Sequence, residues 1–222
     1  MKKCILWLAV LIVFLIPIIQ WGNNVFVSDK LINYQLPPGQ WFYLLSKLMA
    51  QYAFLFLTVQ LILGLLLADR PNWFSWLSIK VHRSIGLIAL VTTLLHAGLF
   101  VAAVGIRSGH FPSKLLEIKL DQGFYNLYVS FGVIAASLLI LVAIIGLFRG
   151  LLPVLFFRYA HRLAWLVWLF GFVHSYAIGT ETGGWLVWSW FYLLAGGLVG
   201  LLLIYRIISI IYRARFKKSI AI

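Results

Sequence analysis

The sequence predicts an all-α fold: a polytopic membrane bundle of about six transmembrane helices. Two features of its composition and one of its pattern lead there. Apolar residues make up 64% of the 222, charged residues only 10%, and mean hydropathy is +1.02. A soluble domain carries about 25% charged residues, so this chain lacks the charged shell that would keep it in water. The apolar residues also lie in long, charge-poor runs, at 4–21, 41–67, 80–106, 124–148, 159–179 and 185–212. At 1.5 Å per residue each is long enough for a hydrocarbon core of about 30 Å. Such a bundle leaves no room for a soluble domain, and the chain reads as a single transmembrane domain, 1–222.

The first run has two readings. Lys2 and Lys3 followed by an apolar stretch resemble a signal peptide, but Gln20-Trp21-Gly22-Asn23-Asn24 offers no small-x-small cleavage site. An uncleaved first helix is the expectation. Cys4 is the single cysteine and precedes the apolar stretch, which excludes an internal disulfide and a lipoprotein cysteine. Cation placement sets the orientation. With both termini in the cytoplasm, thirteen of the 18 Lys and Arg fall on inner segments, against five outside (Lys30, Lys47, Arg107, Lys114, Lys119). The same placement explains the net charge of +13 without nucleic acid, because the cations flank helix ends and form no arm able to track a duplex. The loops that result are short. The outer loop 22–40 carries Pro37-Pro38-Gly39 and reads as an ordered turn, and the inner loop 69–79 is Trp-rich and interfacial in look.

The five Asp and Glu (Asp29, Asp69, Glu117, Asp121, Glu181) all map to loops or helix ends. The polar cargo of the bundle is therefore expected to be histidine, and ionisable groups inside a membrane are functional candidates by default. His82 and His96 lie on the third helix, His161 and His174 on the fifth, and only His110 falls in a loop. Both helices run from the cytoplasm outward, so His82 and His161 share the inner level. His96 lies about 21 Å further out and His174 about 20 Å at the standard rise. Two histidine pairs at matching depths suit two stacked haems, each iron taking one neutral imidazole from each helix. Rotation fits one helix better than the other. Fourteen residues bring His96 to within about 40° of the face of His82, but thirteen leave His174 about 140° from the face of His161. A π-bulge or kink in the fifth helix would absorb that difference.

The segments His82-Arg83 with His96, and His161-Arg162 with His174, resemble the paired haem helices of the ferric reductase-like transmembrane domain, the family of NADPH oxidases and ferric-chelate reductases. The resemblance spans roughly 41–211, and the family shares the spacing of 14 on one helix and 13 on the other. It implies two haem b groups, with His82 and His161 on an inner haem and His96 and His174 on an outer one. It also implies an oxidoreductase subunit that passes electrons to an extracytoplasmic acceptor such as ferric iron, oxygen or a redox protein. The sequence departs from the oxidases in showing no FAD or NAD(P) segment and no Gly-x-Gly-x-x-Gly after a strand. The electron donor is then expected to be a separate flavoprotein or a membrane quinol. The haem subunit of the bacterial periplasmic methionine sulfoxide reductase system is a similar protein of comparable size, although it does not show this complete four-histidine set. A bacterial plasma membrane is the expected location.

Arg83 and Arg162 adjoin the inner ligands and have two readings: partners for haem propionates, or plain cations at a cytoplasmic helix end. Arg107 and Lys114 read as a solvated outer loop or as an attractor for an anionic acceptor, and His110 as a surface histidine or a contact for a metal chelate. Among the ten tryptophans, Trp21, Trp41, Trp73, Trp76, Trp185 and Trp188 read as an interfacial belt. Gly86, Gly98, Gly146, Gly171, Gly196, Gly197 and Gly200 read as close helix contacts or as room for a porphyrin. Three rival functions stay open. One is a quinone-linked haem anchor. Another is a bundle in which the histidines merely hydrogen-bond between helices. The third, without haem, is a metal or proton transporter, which would ordinarily place carboxylates at the midplane.

Overall fold

The structure is a computed structural model and describes residues 13–23, 25, 36–69, 78–180 and 186–219. The regular elements among these residues are helical. They are α1 (Val13–Asn23), α2 (Gln40–Asp69), α3 (Ile79–Ser108), α4 (Gly123–Leu147), α5 (Val154–His161), α6 (Ala164–Ile178) and α7 (Leu186–Ser219), with 3₁₀ turns at Ser113–Leu115 and Arg149–Leu151. The predicted all-α bundle is what forms. Helices α2, α3, α4 and α7 each contain a stretch long and apolar enough to cross a membrane, and much of their outward surface is apolar, as on α3 at Leu87, Val91, Leu94 and Leu95. Such a surface is stable against lipid and costly in water. The protein is an integral membrane protein.

One of the six expected spans differs from the sequence reading. The first is described only from Val13, so Cys4 and the rest of residues 1–12 lie outside the described residues, as do Asp29, Lys30, most of the inner loop with Trp73 and Trp76, and Glu181 with Trp185. The fifth, read as one helix over 159–179, is broken. Helix α5 stops at His161, two residues turn, and α6 starts at Ala164. At the break Arg162 N–H bonds to Tyr159 O, Leu163 N–H to Ala160 O and Trp165 N–H to Arg162 O, each at 3.1 Å and each spanning three residues. Backbone angles of −66°, −17° at Arg162 and −57°, −18° at Leu163 match that tighter winding. The chain thus meets the rotational mismatch with a 3₁₀ turn, where a bulge was one expectation. The sign is right: a 3₁₀ turn advances about 120° per residue in place of 100°, and three such residues recover about 60° of the 140° shortfall.

The residues gather into two compact units, Met1–Ala53 with Leu90–Glu117, and Phe54–Ala89 with Ile118–Ile222. In the first unit α1 is fastened to α2 by side chains that reach the partner's backbone: Trp21 Nε1–H donates to Leu44 O (2.7 Å) and Tyr52 OH to Phe14 O (2.9 Å). The Pro37-Pro38-Gly39 turn is ordered, as expected. Gly39 adopts φ +75°, and a Cβ there would sit 2.8 Å from Ala103 O, so both conformation and space demand glycine. Arg107 closes the same corner, its Nε donating to Pro38 O (3.3 Å), its terminal nitrogen to Gln40 Oε1, and its guanidinium lying over Tyr43.

The second unit is built around aromatic rings. Phe54 stacks on Tyr192 at 4.1 Å, and Trp168, Phe172 and Tyr176 form a ladder along α6 that meets both. Trp188 joins this cluster against Phe191 and Tyr192 and is 1% exposed, so it belongs to the core and not to an interfacial belt. Buried polar groups are also more varied than histidine alone, since Gln20, Ser46, Gln51, Thr58, Thr92 and Ser130 are buried too. Thr58 shows how one is satisfied: its hydroxyl donates to Phe54 O (2.9 Å) and accepts the Trp168 indole N–H (3.0 Å). Thr58→Val keeps the shape but strands that indole N–H in an apolar core, a cost of about 1–3 kcal/mol. Equilibrium unfolding in mixed micelles should read that loss, whereas Thr58→Ser should stay close to wild type.

Candidate functional site

The four predicted bundle histidines fall on three elements. His82 and His96 lie on α3, His161 ends α5 and His174 lies on α6. Within the second unit the structure brings His82 and His161 together, ring centroids 6.0 Å apart and planes at 68°. His161 can meet His82 because α5 ends there and the 3₁₀ turn redirects the chain. Phe157, one turn earlier on α5, stacks on the His161 ring at 5.2 Å and 16° and so limits its rotation. His96 belongs to the first unit and His174 to the second, and each has its own surroundings.

His174 and His96 are each gripped by backbone. His174 Nδ1–H donates to Tyr128 O of α4 at 2.7 Å. A carbonyl can only accept, so the proton is on Nδ1 and the ring lone pair on Nε2. The carbonyl is reachable because the residue one turn on is Gly132. A Cβ at Gly132 would lie 2.6 Å from His174 Nδ1 and 2.7 Å from Cε1, inside any real contact. His96 is held in the same way. Its Nδ1 is 3.0 Å from Ser46 O on α2 and 3.0 Å from Ser46 Oγ, while the Ser46 hydroxyl donates back to His96 O (3.0 Å). Ser46 is 1% exposed, and the residue one turn beyond it is the small Ala50. His96 therefore also presents its lone pair on Nε2.

At the inner pair the partner is a side chain. The Gln60 amide of α2 donates to His82 Nε2 at 3.1 Å, which puts the His82 proton on Nδ1. His82 Nδ1, His161 Nδ1 and Gln60 Oε1 are buried and without a hydrogen-bond partner. Three of the four histidines thus share one tautomer with the lone pair on Nε2, and the inner pair carries two orphaned ring nitrogens. The unpaired His82 Nδ1 carries the proton and cannot ligate, so the lone pair His82 offers a metal is the Nε2 that Gln60 now holds. Among the described residues no three His, Cys, Asp or Glu side chains cluster as they would around a bare metal ion. A haem iron needs only two protein ligands, because the porphyrin supplies the other four, and imidazole–metal bonds of about 2 Å place two axial ring centres about 6 Å apart. The His82–His161 separation fits that requirement.

The remaining predicted residues divide. Arg83 and Arg162 are both exposed, and the Arg162 guanidinium lies 5.1 Å over the Tyr159 ring. Arg107 is engaged with the Pro38–Gln40 turn, and exposed His110 bonds through Nδ1 to Ser108 O (2.9 Å), a local surface contact. Of the glycines singled out by sequence, a Cβ on Gly86 would meet Gln60 Nε2 at 2.7 Å and one on Gly196 the Phe172 ring at 3.3 Å, and Gly171 makes ordinary contact with Leu57. Gly98, Gly146, Gly197 and Gly200 have nothing within 4 Å among the described residues, so close packing does not account for them. Ser46, Gln60, Tyr128 and Gly132 were missed. Gln60 was findable as an amide inside an apolar run, but a carbonyl that receives an imidazole leaves no mark in sequence. Gly132→Ala should destabilise the protein by about 1–3 kcal/mol, through overpacking against His174. Gly146→Ala on the same helix should be neutral or stabilising by up to about 1 kcal/mol. Thermal unfolding of the two variants side by side checks this, and equal behaviour would remove Gly132 from the site.

With the site described, comparison with known proteins adds one match. The sequence profile of a family described as "Ferric reductase like transmembrane component" matches residues 49–172, more than half of the chain. The matched stretch contains His82, Gln60, His96, Gly132 and His161 and stops two residues before His174. No curated protein and no solved structure matches the chain. On the family match, over a helical membrane bundle, the chain belongs to the ferric reductase-like transmembrane family.

Proposed function

We propose that this chain holds two b haems and carries electrons across the membrane, from a cytosolic flavoprotein or a quinol to an extracytoplasmic acceptor (ferric iron, oxygen or a redox protein). In this reading His82 and His161 are the axial ligands of an inner haem, and His96 and His174 those of an outer one. The observation that carries it is the His82–His161 pair, two imidazoles from different helices with ring centroids 6.0 Å apart. Family membership supports the coarser statement, a transmembrane redox component that works with a separate partner.

Haem, if bound, would supply a one-electron couple, and the imidazoles of these histidines would hold it. The chain's own residues do the rest. Tyr128 O and Ser46 O hold Nδ1–H of His174 and His96, fixing tautomer and ring orientation and strengthening the Nε2 donor, as second-shell partners of metal-bound histidine do. At the inner site Gln60 holds His82 Nε2 with a hydrogen bond worth about 1 kcal/mol net, weak enough to be exchanged for coordination. Phe157 keeps the His161 ring in plane. Arg83 and Arg162, exposed near the inner ligands, suit the pairing of propionate carboxylates through a guanidinium fork. The apolar faces of the helices keep water away, which tunes redox potential.

The test is a reduced-minus-oxidised spectrum with pyridine haemochrome quantitation on purified wild type, His96→Leu and His161→Leu. Wild type should carry two b haems per chain, and each substitution should remove about one, with the residual potentials differing between the variants. A colourless wild type expressed with haem supplied would sink the reading. A haem-loaded chain that quinol reduces would name the donor class, and one reduced only by an added flavoprotein would name the other.

A further inference from the structure

Between the end of α4 and the start of α5 the chain makes a corner that the histidine scheme does not use. Arg149, Leu152, Val154, Phe157 and Arg158 line a cleft of about 120 Å³ there. Arg149 and Arg158 are both exposed, and neither guanidinium has a carboxylate partner among the described residues. The Arg149 guanidinium instead lies 5.4 Å over the Phe157 ring. Around the two cations the surface is apolar: Leu147 is 77% exposed and Leu151 81%, and Phe148, Val154, Leu155 and Phe156 are exposed beside them. In water such a rim would be costly, but at a membrane interface it sits among acyl chains and leaves the guanidiniums at headgroup level. A paired guanidinium site within an apolar rim complements one kind of molecule, an amphiphile with an anionic oxyacid head, and guanidinium forks suit phosphate oxygens.

We propose that this corner is a binding site for an anionic phospholipid, with the headgroup phosphate held by Arg149 and Arg158 and the acyl chains against Leu147, Leu151 and Leu155. The site communicates with the inner histidine pair through one ring, since Phe157 lines the cleft on one side and stacks on His161 on the other. A bound phosphate draws the Arg149 guanidinium off Phe157 and changes the charge beside His161. Bilayer composition thereby sets the poise of the inner site. This last step rests on the haem reading, whereas lipid binding itself does not.

The experiment uses the full chain, with and without haem, in nanodiscs of phosphatidylcholine alone or with phosphatidylglycerol, followed by native mass spectrometry of retained lipid. Wild type should retain phosphatidylglycerol in preference to phosphatidylcholine. Arg149→Gln/Arg158→Gln should lose about 25-fold of that preference, two interfacial arginines contributing about fivefold each. Arg149→Lys/Arg158→Lys should keep most of it. Equal retention by wild type and the double Gln variant overturns the site. Displacement by millimolar inorganic phosphate identifies a free-anion site and overturns the lipid assignment. Retention by haem-free protein that disappears on haem loading assigns the cleft to the haem's own carboxylates and overturns it as well. For the link to His161, the inner potential should differ between the two lipid compositions in wild type and be the same in the double Gln variant. Identical wild-type potentials overturn the link. A chain that binds no haem fails the proposed function, while lipid retention by the colourless protein still decides the site.

Discussion

An imidazole placed in hydrocarbon has no water to satisfy it, so each ring nitrogen either finds a partner inside the protein or stays unpaired at a cost. The rest of this structure follows from how the chain meets that demand. A helix has few spare acceptors, because each carbonyl is engaged by the N–H one turn on. The chain finds one anyway by removing the side chain that would shield it. Gly132 uncovers Tyr128 O for His174, and Ala50 follows Ser46, whose carbonyl takes His96. A carbonyl with two lone pairs can serve both its helix and an imidazole. The histidine is thereby oriented by the most rigid object available, the backbone of a neighbouring helix, and the ring nitrogen it leaves as acceptor is Nε2.

Helix α5 meets a different constraint. Thirteen residues do not return an α-helix to the same face, and the protein answers by not keeping one helix. The 3₁₀ turn at Arg162 and Leu163 overwinds the chain between His161 and His174 and lets each ring reach its own surroundings, His82 for one and α4 for the other. The aromatic ladder of Trp168, Phe172 and Tyr176 then fixes α6 from its other side. His174 stands two residues, about 200°, from Phe172, so ladder and histidine occupy opposite faces. Packing on one face holds the histidine on the other.

Fold class, membrane location and the four bundle histidines were legible in the sequence because each depends on composition or on spacing along one chain. Apolar runs announce spans whatever their neighbours are, and a histidine inside one stands out. What was not legible depends on contacts between elements. Gly132 looks like any small residue in a span until His174 is placed 2.6 Å from where its Cβ would be. Trp188 looks interfacial because it begins a span, and only the positions of Phe191 and Tyr192 show it to be core. The break after His161 was half legible. The rotational mismatch demanded a distortion, but neither Pro nor Gly marks the place, and the direction of the distortion follows only from which face His174 has to reach.

The four histidines differ in their partners although the residue type is the same. His96 and His174 each tie Nδ1 to a backbone carbonyl, a connection that no side-chain change deletes directly. At the inner level His82 leans on a glutamine side chain, His161 on the stack with Phe157, and both Nδ1 atoms are without a partner. Hydrogen bonding at Nδ1 makes an imidazole a stronger donor and favours the more oxidised state of the metal it binds. Under the proposed ligation the outer site is therefore the electronically fixed one, and the inner site is the one whose poise its neighbours can move. The soft level is also the one that exposed arginines and the Arg149–Arg158 corner adjoin, where a partner protein or the bilayer can reach it. If the proposed ligation holds, the site that changes with its surroundings would be the one at His82 and His161.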